Sequence, residues 1–249
     1  MADIISSYTP GQLLSTLAAT SISDDLKLLH SRVRISLPTD IRARSPAYLT
    51  LAELTEILSY KLAIGVNRPF LKGMLKKNSD ASVRAVSTRA FAVAGLDGVD
   101  TRWEDLKSAL DIIFELTGVG PALGTLVFSL LYPKGVPFFS DETAVELLKP
   151  TGGRHGLKYS VKEYKLMWDE LGALVEKINA RGEEGSGRVG RGDVERAIWT
   201  LVRHSAVDVE GESQGAKATK SAKRKAKDED EPIEAPPKVA KRTRSSRKT

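Results

Sequence analysis

The 249-residue chain contains no cysteine. Disulfides, thiolate zinc sites and cysteine nucleophiles are thereby excluded. Histidine is scarce as well. His30, His155 and His204 are scattered, which argues against a zinc enzyme. No apolar run approaches the roughly 18–20 residues of a membrane span. The N-terminus, Met1-Ala-Asp-Ile-Ile-Ser-Ser-Tyr8, lacks the basic region and apolar stretch of a signal peptide. A soluble, intracellular protein without a metal cofactor and without a membrane partner is expected. Aromatic residues make up 6% and none follows Trp199.

Composition changes near Ser205. The 45 residues from Ser205 to Thr249 hold 12 Lys/Arg, 8 Asp/Glu and 11 Ala, Val or Ile. Such a segment cannot bury enough apolar surface to fold alone. It reads as a disordered basic tail. Lys223-Arg224-Lys225 and Lys241-Arg242 anchor two basic clusters around an acidic block, the pattern of a nuclear-localisation signal. Nuclear localisation and a nuclear import receptor as partner follow as expectations. The remaining 204 residues carry a net charge of +2. Any nucleic-acid affinity in this body must come from a local patch.

The body reads as helices joined by short loops. Thr9-Pro10 opens the first, and a second covers about 23–33. Thr50-Leu-Ala-Glu53, Thr101-Arg-Trp-Glu104 and Ser160-Val-Lys-Glu163 are three capping boxes. The helix after Thr50 stops at Gly65. Further helices are expected over 69–77, 80–94, 121–131, from the Ser140 cap to about 148, and over 193–204. No stretch alternates in the manner of a strand, so the class is all-α: a compact multi-helix domain over 1–204. Residues 182–192 carry five glycines and read as a flexible insert. Trp103, Trp168 and Trp199 sit on amphipathic stretches and read as packing residues.

The most informative stretch runs from Leu116 to Leu130. Gly118-Val119-Gly120 predicts a tight turn between two helices, giving a hairpin over 106–131. The helix opening at Pro121 presents unpaired N–H groups and the positive end of its dipole, a backbone site for a phosphate. Past it, Val136-Pro-Phe-Phe-Ser-Asp141 places an acid in the first turn of another helix, 23 positions after Gly118. Asp141 there is either a functional carboxylate or a residue that favours the helix dipole.

These residues resemble the helix-hairpin-helix motif, hydrophobic-x-Gly-hydrophobic-Gly. With the spacing to Asp141 they resemble the helix-hairpin-helix DNA glycosylase superfamily, which includes endonuclease III and the 8-oxoguanine glycosylases. The resemblance implies double-stranded DNA as partner. It implies backbone contacts to phosphate at Gly118, Gly120 and Ala122, and Asp141 as the catalytic acid. A fixed carboxylate near C1′ would stabilise an oxocarbenium-like sugar and orient a water. The lyase lysine of the superfamily falls at Ala122, which cannot act as a nucleophile. The iron–sulfur cysteines are missing too. The chain most resembles a eukaryotic branch of the superfamily, and without the lyase lysine that resemblance implies a monofunctional N-glycosylase. No cofactor is implied beyond a monovalent cation held by hairpin carbonyls.

Other candidates surround these. Lys61, Asn67 and Arg68, followed by Lys72, Lys76 and Lys77, form the densest basic region, a candidate DNA-facing strip or a solvated face. Arg154 and His155 are further candidate phosphate contacts. Phe138 and Phe139 are candidates for a base pocket, or core. Three readings stay open: a base-excision enzyme, an inactive DNA-binding or adaptor module, and a helical scaffold whose glycine turn is only structural. The enzyme needs Asp141 to line an accessible cleft. A carboxylate sealed by structural bonds favours the module.

Overall fold

The computed structural model describes residues 1–18, 24–183 and 187–204. All regular structure in these residues is helical. The chain divides into a unit Met1–Ala206 and a unit Val207–Thr249. The second unit, and with it the expected disordered tail and its basic clusters, lies outside the described residues.

The helices are α1 (Ala2–Ile5), α2 (Pro10–Ala18), α3 (Asp24–Ser31), α4 (Leu37–Arg42), α5 (Leu51–Ile64), α6 (Phe70–Leu75), α7 (Asp80–Phe91), α8 (Trp103–Ile113), α9 (Pro121–Leu131), α10 (Asp141–Leu148) and α11 (Val161–Asn179). A final helix, α12, covers 191–204. The core is built around α9. Every residue from Ala122 to Leu131 is buried, as an all-round apolar helix requires. Helices α4, α5 and α8 pack on it. Gly124 permits the closest approach: a Cβ there would stand 2.8 Å from Phe114 Cε1 and 3.2 Å from Ile113 Cγ2. At the far end of α9, Arg42 caps the helix by donating to the Leu131 carbonyl at 2.5 Å.

Two of the three capping boxes form, at Thr50 and Ser160, each with both reciprocal bonds. The third does not. Helix α8 starts at Trp103, and the Thr101 hydroxyl donates instead to the carbonyls of Leu96 (3.0 Å) and Gly98 (3.1 Å). Thr101 is buried beside these turn carbonyls, which take the hydroxyl that a cap would use. The second helix also extends beyond its expected end. A π-helical turn, Arg32–Ser36, joins α3 to α4. Pro38 stands near the start of α4, where proline is tolerated.

The glycine-rich 182–192 segment is the larger correction. Residues 184–186 lie outside the described residues, but Val189 is fully buried. Its N–H and C=O pair with the Asn179 amide at 3.0 Å each. The Gly192 N–H donates to the Lys134 carbonyl at 2.9 Å. Arg188 pairs with Asp100, and Arg191 stacks 4.3 Å from the Trp168 ring centroid. Gly190 and Gly192 allow backbone to approach backbone.

Candidate functional site

Asp141 is the first residue of α10, and Ser140 caps that helix through the Thr143 N–H. The capping geometry aims the acid at the end of α5. Its side chain is only 7% exposed. Oδ1 accepts from the Tyr159 hydroxyl at 2.8 Å, and Oδ2 from the Val66 N–H at 3.2 Å. Arg154 Nε stands 3.7 Å from Oδ2. Gly65 ends α5 because the chain must pass the acid closely: a Cβ at Gly65 would lie 3.3 Å from Oδ2.

Tyr159 is the hub of the cluster, and sequence reasoning missed it. It holds a left-handed backbone, φ +54°, rare for a residue with a side chain. The Arg68 guanidinium lies 4.5 Å and the Lys61 ammonium 5.7 Å from its ring centroid. Burial, then the Asp141 hydrogen bond, hold the Tyr159 hydroxyl well above the usual phenol range, so it stays a donor. Lys61 is 8% exposed. Burial lowers its pKa, Asp141 opposes that shift, and Arg68 adds to it. Lys61 is therefore a buried counter-charge and not part of a solvent-facing strip. Beside Asp141, the buried Glu142 takes Arg203 Nε at 3.1 Å and Arg154 Nη2 at 3.4 Å.

Of the residues singled out in the sequence, Asp141, Lys61, Arg68 and Arg154 thus converge. Asn67 is exposed in the turn beside Val66, and His155 is exposed in the 3₁₀ turn Gly153–Gly156. Phe138 and Phe139 are core, 4% and 1% exposed. The Phe139 ring is wedged between Tyr159 and Tyr164, and its N–H donates to Thr125 on α9. They support the acid from beneath and leave no surface for an extruded base.

The hairpin lies at the other end of α6. Gly118 adopts φ +84°, and a Cβ there would stand 3.1 Å from Leu75 N. The Asn78 amide bonds both ways with Thr117: Nδ2 to the carbonyl (2.8 Å), and Oδ1 from the N–H (2.9 Å). Val119 plugs the turn at 6% exposure. A Cβ on Gly120 would meet open space, so the start of α9 faces outward. Among the described residues no acceptor takes the N–H of Gly120 or Ala122. The carbonyls of Leu116 and Thr117 already accept from Val119 N–H and Asn78. No group of three or more His, Asp or Glu that could hold a metal occurs among the described residues.

A second buried acid sits behind the Ser140 cap. The Ser140 hydroxyl donates to Glu195 Oε1 at 2.5 Å, and Thr143 Oγ1 lies 3.4 Å from the same oxygen. Burial pushes the Glu195 carboxyl up to about 7 against the Ser140 hydrogen bond, with Arg34 and Arg196 lowering it and Glu142 raising it. The folded state therefore keeps a proton that the unfolded chain loses above about 4.5. Stability attributable to Glu195 falls as pH rises from about 4.5 to about 7 and stays low above that. Glu195→Gln is expected to match the parent near the lower limit and to exceed it at pH about 8 by on the order of 2 kcal/mol. Urea unfolding at the two pH values measures this. Equal stability at both would show that the carboxyl is not desolvated.

No protein-family model matches the chain, no curated protein matches its sequence, and no solved structure matches its fold.

Proposed function

We propose that this protein binds duplex DNA along the edge formed by the α8–α9 hairpin and α6. The observation that carries this reading is the Asn78–Thr117 pair, which ties the Lys76-Lys77 turn to the hairpin. Two features read independently from the sequence, a phosphate-sized turn and a basic strip, thereby share one edge. Lys72, Lys76 and Lys77 are exposed along α6 and the turn after it. They neutralise phosphates while the unpaired N–H groups at Gly120 and Ala122 set the register. Such contacts grip the backbone without reading bases. The basic clusters at Lys223–Lys225 and Lys241–Arg242 add nuclear targeting to this reading.

A second reading keeps Asp141 as the acid of a monofunctional DNA N-glycosylase. It draws on the convergence of Lys61, Arg68 and Arg154 around that one carboxylate. Against it, both oxygens are already engaged. Chemistry there requires Arg154, whose side chain is 44% exposed, and the Tyr159 hydroxyl to withdraw. The binding module is the reading the geometry favours.

Fluorescence anisotropy with a labelled duplex over a range of salt tests it. Lys76→Gln with Lys77→Gln is expected to flatten the slope of log K against log salt by about 0.9 per lost contact, so nearly 2 in all. Binding that is absent at low salt, or a slope unchanged in the double variant, would reject the edge as the interface.

A further inference from the structure

A cavity of about 420 Å³ opens between the π-helical turn, α4, the C-terminal end of α9 and α12. None of its lining residues belongs to the Asp141 cluster or the hairpin edge. Ile35 lines it and is 64% exposed, so the cavity reaches the surface. We propose that it binds a small, neutral, planar lactam or carboxamide, whose N–H is donated to the Glu195 carboxylate and whose carbonyl accepts from the Arg34 guanidinium.

Several polar groups around the cavity are left unmatched. Glu195 is 2% exposed, and its two side-chain hydroxyl partners, Ser140 and Thr143, both address Oε1. Among the described residues Oε2 takes no hydrogen bond and no cation lies within ion-pair distance. Once ionised, above about pH 7, the carboxyl leaves Oε2 in want of a donor. Arg34 supplies the opposite need. Its Nε donates to the Tyr60 hydroxyl at 3.3 Å, and its terminal nitrogens have no partner among the described residues. The other two arginines of the cavity are committed, Arg42 to the Leu131 carbonyl and Arg196 to Asp193. The Trp199 Nε1–H is buried with no acceptor, a further unmatched donor on the cavity wall.

Charge selects the ligand class. An anion meets Glu195, and a cation meets Arg34, Arg42 and Arg196. His30 adds no charge at neutral pH, because burial and then Arg34 lower its pKa to about 4. A neutral group with donor and acceptor side by side serves both ends, which is the pattern of an amide. The walls suit a flat body. Trp199 stands one helical turn from Glu195, and Leu17, Pro38 and Leu130 are apolar.

Benzamide, benzoate and benzamidine differ chiefly in charge, and 2-pyridone presents both amide groups on one edge. Their binding to the full chain at about pH 8, where Glu195 is mostly ionised, followed by ligand-observed NMR and calorimetry, tests the proposal. Benzamide and 2-pyridone are expected to bind. Glu195→Gln offers N–H where the carboxylate accepted, and Arg34→Met removes the donor fork. Each is expected to weaken binding about 10-fold while thermal melting shows a folded protein. Arg34 is partly exposed, so its variant keeps the test open if the Glu195 variant misfolds. Tighter binding of benzoate or benzamidine, equal affinity in the folded variants, or no binding of any probe at about 10 mM would overturn it.

Discussion

Gly192→Ala is expected to destabilise the protein by about 3 kcal/mol, whereas Gly187→Ala is expected to change nothing measurable. Both lie in the same glycine-rich stretch, and composition treats them alike. A Cβ on Gly192 would fall 2.1 Å from the Pro133 carbonyl oxygen and 3.0 Å from that of Val136. Those are backbone atoms, so no rotamer change relieves the clash. Relief requires the 133–136 turn to move, and that turn carries the Lys134 carbonyl that the Gly192 N–H bonds. Gly187 has nothing within 4 Å of an added Cβ. Urea unfolding of the two variants measures the contrast. A Gly192→Ala protein as stable as the parent would mean that the start of α12 does not dock on this turn.

Asp141→Ala is expected to cost about 3 kcal/mol, and Asp141→Asn about 1. Alanine leaves the Val66 N–H and the Tyr159 hydroxyl without an acceptor, and removes the negative charge that opposes the desolvation of Lys61. Asparagine keeps one oxygen for the Val66 N–H but loses the charge. The same pair separates the two functional readings. As a brace, Asp141 shows its effect in melting temperature, with DNA affinity kept in the folded variants. As a catalytic acid, it shows loss of excision on a lesion-bearing duplex in Asp141→Asn with binding intact. A null effect of both variants on stability would return the carboxylate to the pool of groups free for chemistry.

The helix order and most helix ends were legible because they depend on near neighbours. Thr50 and Ser160 cap through bonds to residues three positions on, and Pro121 starts α9 where proline is tolerated. Thr101 has the same signature and fails as a cap, because carbonyls brought near by the 96–101 turn compete for its hydroxyl. The candidate site was half legible. Asp141, Lys61, Arg68 and Arg154 stand out by charge and position, and they meet. Tyr159 and Glu142 carry no local signal, and their roles arise when α5, α10 and the turn before α11 converge.

Composition and local pattern thus dictate an all-helical body with a glycine hairpin, for caps and turn glycines act within one or two turns of chain. They do not reveal whether a charge keeps its water. Lys61 and Lys76 look alike in the sequence, yet one is desolvated beside Asp141 and the other is exposed next to the hairpin. Burial is set by helices that meet across long stretches of chain, so packing alone made the first a counter-charge and left the second in water.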